Sequence, residues 1–189
     1  LKLVIGCYTI NFEQLFQAIE RYKCNYLFSL PVNIIYMLNE PNIKKYDLSS
    51  LKNIYVGGQS VTLQLCNRLR VELKIEKIHL AYGMTEILIV SRKIYDLAIL
   101  NKDNYNFCIG RLNPFIEYKV INKLTGLMQP FNEEGELCLR SYSAIKGYWN
   151  DPEKTKETID SNGWFHTGDI VKMDSFGNIY FVNRNKDVI

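Results

Sequence analysis

The chain has 189 residues, 47% of them hydrophobic and 13% aromatic, enough to bury a core in one domain or two small ones, which excludes a disordered polypeptide. Its 23 basic and 20 acidic residues leave a net charge of +3 with no basic stripe, which argues against a nucleic-acid partner. No apolar run is long enough to make a transmembrane segment, and residues 1–8 lack a basic region followed by a cleavage site.

The five cysteines, Cys7, Cys24, Cys66, Cys108 and Cys138, are an odd and widely spaced set without a Cys-x-x-Cys pair. Neither a disulfide framework nor a zinc site is expected from that spacing, and a reducing compartment fits it best. The chain starts at Leu1 and stops at Ile189 just after a charged cluster, so it reads as an internal piece of something longer. Nothing in it fixes an oligomeric state.

In chain order, residues 1–6 form a short apolar run. Asn11-x-x-Gln14 then resembles a capping box, and Phe12, Leu15, Phe16 and Ile19 follow at the spacing of one apolar helix face. Residues 26–30 read as a buried strand ending at Pro31, and residues 32–38 as a short apolar helix closing at Pro41. A strand over 53–56, a turn at Gly57-Gly58, a helix over 62–73 with Leu65 and Leu69 on one face, and a strand over 77–81 continue the alternation. Such alternation predicts a parallel sheet with helices packed on it, and ligands in such sheets lie beyond the carboxyl ends of the strands. Gly57-Gly58 and Tyr82-Gly83-Met84-Thr85-Glu86 fall at those ends.

From about Asn101 the texture changes. Residues 115–121, 135–140, 170–173 and 179–182 read as strands separated by Lys123-Leu124-Thr125-Gly126 and Asp174-Ser175-Phe176-Gly177, which are turn signals. The fold class expected is α/β: a layered parallel-sheet portion over 1–100, followed by a smaller, mostly antiparallel, β-barrel-like subdomain over 101–182.

Two runs carry the chemistry. In Tyr82-Gly83-Met84-Thr85-Glu86, a phenol ring can stack on adenine, a hydroxyl can donate to a phosphate, and a carboxylate can hold magnesium, a hard cation that prefers oxygen. In Trp164-Phe165-His166-Thr167-Gly168-Asp169, the Asp169 carboxylate can accept two hydrogen bonds from a ribose diol. Gly57-Gly58 lets the backbone approach a flat ring, and Arg184 in Asn183-Arg184-Asn185-Lys186-Asp187 places a guanidinium near ribose or phosphate oxygens. Each run alone also fits a plain turn, a capped helix or a solvated charge cluster.

Their order is more specific. Together with Lys45-Tyr46-Asp47-Leu48-Ser49-Ser50-Leu51, Gly135-Glu136-Leu137-Cys138-Leu139-Arg140, Gly147-Tyr148-Trp149-Asn150-Asp151-Pro152-Glu153-Lys154-Thr155 and Asp160-Ser161-Asn162-Gly163-Trp164, it resembles the adenylate-forming superfamily. That superfamily comprises acyl-CoA synthetases, 4-coumarate-CoA ligases and beetle luciferases. The resemblance implies an AMP-forming acid-thiol ligase that uses ATP, Mg2+ and coenzyme A on a small-molecule carboxylic acid. It implies an adenine pocket lined by Gly57, Gly58 and Gln59, with Tyr82 against the base and Gly83 among the nucleotide-binding residues. Thr85 would meet the α-phosphate, Glu86 the magnesium, and Asp169 and Arg184 the ribose. Residues 183–189 would begin a hinge about Lys186 to a C-terminal domain.

Ser60, the pair Leu80-Ala81 and Asn183 depart from the family's usual residues while sparing the hydroxyl and carboxylates. The family's phosphate loop and C-terminal lysine domain fall outside these 189 residues, so the isolated chain is expected to be inactive. The alternatives are a non-catalytic nucleotide-binding remnant and a luciferase-like monooxygenase fragment. Ile87-Leu88-Ile89-Val90 would make an apolar wall suited to an aliphatic or aromatic acid, or a buried strand. Peroxisome and cytoplasm are the expected intracellular locations.

Overall fold

The structure is a computed structural model and describes residues 11–102 and 108–184. The apolar run over 1–6 and Lys186 lie outside the described residues. The chain divides into two compact units, Leu1–Leu80 with Ile94–Tyr105, and Ala81–Lys93 with Asn106–Ile189. No helix among the described residues is long and apolar enough to cross a membrane.

The first unit is layered. Helix α1 (Phe12–Tyr22) starts where the Asn11 side chain accepts a hydrogen bond from the Gln14 amide, as the capping box predicts, and it ends at Lys23 in the left-handed conformation (φ 49°). Strand β1 (Tyr26–Ser29) leads into α2 (Pro31–Asn39), in which Pro31 opens the helix because its missing N–H is not needed in the first turn. A short 3-10 turn (Ile43–Lys45) precedes β2 (Asn53–Gly57), which pairs with β1 in parallel from Tyr26↔Asn53 to Ser29↔Val56. Helix α3 (Leu63–Glu72) is capped by Thr62, whose hydroxyl accepts from the Leu65 amide, and β3 (Lys77–Met84) follows. The strand order is β1-β2-β3, and Phe16, Ile19, Ile34, Met37, Ile54, Leu69 and Ile78 are buried in one core. Each such side chain contributes about 1.5–3 kcal/mol on burial.

One expectation fails here. Residues 26–30 read as a buried strand, yet Tyr26 and Phe28 are exposed. Strand β1 is the last in the order, and only Leu27 packs on the core. Tyr26 and Phe28 point to the other face, where both lie against Tyr55 of β2 at ring distances of 5.8 and 6.3 Å.

The second unit holds residues 81–84 of β3 and 88–93 of β4 (Leu88–Asp96), then β5 (Cys108–Leu112), β6 (Ile116–Ile121), β7 (Gly135–Ser141), α4 (Pro152–Thr158), β8 (Phe165–Met173) and β9 (Ile179–Arg184). The order is β4-β5-β9-β8-β7-β6, with antiparallel pairing along it. The sheet stops at β6 and stays open, so the barrel-like expectation resolves into an antiparallel sheet that does not close. Strands β6 and β7 keep one register from Ile116↔Ser141 to Ile121↔Glu136. After β6, Asn122 Oδ1 accepts from the Leu124 and Thr125 amides in a turn that brings Met128 back beside Ile121. Ile87, Val90, Val120, Leu137, Leu139, Phe165, Val171 and Ile179 form the core.

The run Ile87-Leu88-Ile89-Val90 is neither a continuous wall nor a buried strand. Ile87 and Val90 are fully buried, while Leu88 and Ile89 are 64% and 50% exposed. Leu88 adopts a left-handed conformation (φ 61°), which reverses the chain at the start of β4 and turns two apolar side chains outward.

Candidate functional site

Strand β3 runs three residues past the predicted end at Ala81, so Tyr82 and Gly83 sit in a strand rather than in a loop beyond one. The connection to β4 is tight. The Ile87 amide donates to the Met84 carbonyl at 3.1 Å, and a Cβ on Gly83 would collide with the Leu88 carbonyl oxygen. Glycine at 83 is therefore set by backbone approach within the hairpin. Thr85 and Glu86 occupy the turn, Thr85 exposed and Glu86 half-buried.

Asp169 is also deeper than its sequence context implies. It was expected at the start of a strand and lies inside β8, fully buried. The cause is an irregular ladder: Glu136 pairs with Ile170 and Cys138 with His166, so Leu137 alone faces Thr167, Gly168 and Asp169. Gly168 absorbs this bulge with φ 72°. Two extra residues preserve the alternation of the strand, and Phe165 and Val171 both still reach the core. The bulge is held by the Thr167 hydroxyl, which donates to the Leu137 carbonyl at 2.7 Å and accepts from the Asp169 amide at 3.0 Å. Glu136 Oε1 accepts from the Gly168 amide at 3.1 Å.

The bulge aims the Asp169 carboxylate at two partners. The Tyr82 hydroxyl, 87 residues away in sequence, donates to Oδ2 at 2.5 Å. Arg184, the cross-strand neighbour of Asp169 on β9, donates from Nε to Oδ1 at 2.7 Å and from its terminal nitrogen to Oδ2 at 3.4 Å. Burial, then the adjacent Asp169 charge, push the Tyr82 phenol far above its ordinary value, so it remains a donor. The guanidinium is half exposed beside a carboxylate with no exposure.

Glu86 is fixed separately. Its carbonyl accepts from the Ile145 amide at 2.8 Å, and its Oε1 accepts from the Tyr148 hydroxyl at 2.9 Å, leaving Oε2 for a cation. Burial, then Glu86, raise the Tyr148 phenol above its ordinary value. A half-buried carboxylate oxygen is the donor type that a hard divalent cation takes, so this residue fits Mg2+.

The second unit thus brings together Tyr82, Asp169 and Arg184, and holds Gly83, Thr85 and Glu86 on the hairpin that carries Tyr82. Gly57, Gly58 and Gln59 belong to the first unit. There Gly57 ends β2, Gly58 has φ 81°, and Gly58 and Gln59 are exposed. Tyr148, Thr167 and Glu136 escaped the sequence reading as individual residues with roles. Their runs were visible, but pairings such as Glu86 with Tyr148, 62 residues apart, leave no mark in local spacing.

Comparison with known proteins gives a consistent result. The profile of the AMP-binding enzyme family matches residues 4–149. The medium-chain acyl-CoA ligase ACSF2, mitochondrial, of Macaca fascicularis is 29% identical over 187 residues, covering 99% of this chain and 30% of that protein. The 4-coumarate–CoA ligase 4 of Arabidopsis thaliana is 32% identical over 187 residues, covering 99% of this chain and 32% of that protein. The structure of the luciferase-like enzyme from the nonluminescent mealworm Zophobas morio superposes with a TM-score of 0.75 at 28% identity, covering 96% of this chain and 42% of that one. The chain therefore spans about a third of the curated relatives it matches.

Proposed function

The chain belongs to the AMP-binding enzyme family, and from that premise we propose that it is the nucleotide-gripping part of an ATP-dependent acid-thiol ligase. In that reaction a carboxylate oxygen attacks the α-phosphorus of ATP and pyrophosphate leaves. The thiol of coenzyme A then attacks the acyl carbonyl, and AMP leaves. The observation that carries the reading is the meeting of the Tyr82 phenol, the Arg184 guanidinium and the buried Asp169 carboxylate.

Each residue has a role consistent with its place. Asp169 exchanges one of its present donors for the ribose diol, with Arg184 holding the carboxylate in place. Tyr82 stays protonated and offers its ring to the adenine. Thr85, exposed on the hairpin turn, donates to the α-phosphate, and Glu86 holds Mg2+, which neutralises charge developing on the phosphate. Lys186 serves as the hinge. Leu88 and Ile89, exposed at the start of β4 beyond the buried Ile87, favour an aliphatic or aromatic carboxylate over one bearing an ammonium group.

Both curated relatives described above are named as CoA ligases, which supports ligation over luciferase-like oxygenation. One of them is named as mitochondrial, so mitochondrion joins peroxisome and cytoplasm as a proposed location. The test is ATP-pyrophosphate exchange by the encoded protein at its full length, across a panel of fatty, aromatic and amino acids. Exchange with an apolar acid, lost in Glu86→Ala, is expected. Exchange only with amino acids, or none above the Glu86→Ala background, would overturn the proposal.

A further inference from the structure

A second cluster of chemically capable side chains lies on the sheet face opposite the core of the second unit. Glu136 and Cys138 alternate along β7 with Leu137 and Leu139, which point into that core, and His166 faces Cys138 from β8. His166 Nδ1 lies 3.3 Å from Glu136 Oε2 and 3.5 Å from Cys138 Sγ, and the three donor atoms are all within 4.8 Å of one another. A single ring nitrogen thus meets two partners at once.

The two separations from His166 Nδ1 match edges of a metal polyhedron. For bonds of roughly 2.0–2.1 Å to nitrogen and oxygen and roughly 2.3 Å to sulfur, the edges of a tetrahedron are roughly 3.4 Å from nitrogen to oxygen and roughly 3.6 Å from nitrogen to sulfur. The two observed edges need almost no adjustment. On the far side of the ring, His166 Nε2 lies 3.7 Å from Asp160 Oδ2, a few tenths of an ångström outside hydrogen-bond reach, so a small approach on metal binding would make the carboxylate-histidine pair that orients a metal-binding imidazole. Glu136 approaches the cluster through Oε2 while Oε1 stays on the Gly168 amide, so one carboxylate can serve both. Glu136 and Cys138 are buried, and His166, with 27% of its side chain exposed, provides the way in.

We propose that Glu136, Cys138 and His166 form a binding site for one thiophilic divalent transition-metal ion, completed by a water molecule and oriented by Asp160. A thiolate with an imidazole selects Zn2+ over the magnesium that suits Glu86, so the two cations use different places in the same unit. The spacing of the cysteines gives no hint of this site, because its three ligands come from strand pairing rather than from a Cys-x-x-Cys run. Bound metal would tie β7 to the strand that carries Thr167, Gly168 and Asp169, and so would stiffen the bulge that aims the Asp169 carboxylate. On binding, the Cys138 S–H bond breaks, its proton passes to solvent, and a sulfur-metal bond forms with no change of oxidation state.

The test is equilibrium dialysis of the full chain against Zn2+, with Co2+ substitution as a spectroscopic reporter. One Zn2+ per chain is expected, with a cobalt-thiolate charge-transfer band in the near ultraviolet. Cys138→Ser should abolish the band and most of the affinity. Asp160→Asn, which leaves all three ligands intact, should weaken binding by about 10- to 100-fold. Circular dichroism of each metal-free variant separates lost ligation from lost folding, and the cobalt band of the unaltered chain needs no variant. Absence of stoichiometric Zn2+, a cobalt complex without thiolate absorption, equal affinity in a folded Cys138→Ser chain, or displacement of Zn2+ by equimolar Mg2+ would each overturn the proposal. In any of those cases the trio is a hydrogen-bonded network only.

Discussion

Replacing Tyr82 by phenylalanine removes one oxygen atom and tests the centre of the account. In the folded chain that hydroxyl donates to Asp169 Oδ2 at 2.5 Å, and the remaining donor to the same oxygen, from Arg184, is at 3.4 Å. Asp169 has no exposure in the folded chain, so the substitution takes the nearest donor from a buried carboxylate oxygen. A hydrogen bond to a charged group contributes about 1.5–3 kcal/mol, and leaving a buried carboxylate oxygen short of donors places the loss in that range. For a chain of this size each kcal/mol moves the melting temperature by about 2–4 °C, so Tyr82→Phe should melt about 3–12 °C lower. Urea unfolding followed by tryptophan fluorescence checks the same quantity, since Trp149 and Trp164 both lie in the second unit. A change below about 0.5 kcal/mol, within the range of ordinary surface substitutions, would refute the reasoning. It would mean that the phenol and the carboxylate do not depend on each other.

Other consequences are open to direct measurement. Gly83→Ala should destabilise the chain by about 1–3 kcal/mol, because the added Cβ meets the Leu88 carbonyl; an unchanged melting temperature would contradict the close approach. The Asn178 side-chain amide, with backbone amides of the same turn, holds the Asp174 carboxyl below its ordinary value of 3.8. Its stabilising effect is therefore present above that value and lost as the pH falls through the lowered one. Asp174→Asn should have a lower urea midpoint than the parent at pH 7 and a shallower further decline on acidification, and an equally steep decline would contradict the assignment. Burial, then the neighbouring Glu136 charge, push the Cys138 thiol up to about 12, so metal-free native chain should leave Cys138 unalkylated by iodoacetamide at pH 8 while urea-unfolded chain reacts. Equal labelling in both states, read by peptide mass spectrometry, would count against its burial.

Local rules carried much of the architecture. The apolar spacing of Phe12, Leu15, Phe16 and Ile19 and the Asn11 cap located α1, and the Asn122 and Asp174 turns separated the C-terminal strands where they are found. Failures came where a neighbour decides the outcome. Residues 26–30 are apolar enough for a buried strand, but among the described residues no strand lies beyond β1, and Tyr26 and Phe28 lie on the face away from the helices. Ile87-Leu88-Ile89-Val90 is uniformly apolar, and only the left-handed turn at Leu88 determines which pair is buried. At the site, the residue types were legible in Tyr82, Glu86, Asp169 and Arg184. Their geometry was not, because the Thr167-Gly168-Asp169 bulge exists only relative to Leu137 on β7. The same holds for Tyr148 against Glu86, and for the convergence of Glu136, Cys138 and His166, which follows from register.

The claim that Asp169 grips the ribose of an adenine nucleotide is tested most directly by a binding cycle on the full-length protein, using AMP and its 2′,3′-dideoxy analogue with the parent and Asp169→Asn. Removing either the carboxylate charge or the diol should weaken binding by at least about tenfold, a loss of about 1.4 kcal/mol, and removing both should weaken it no further. If Asp169→Asn binds AMP as tightly as the parent, or if the two losses simply add, then the Asp169 carboxylate does not hold the sugar.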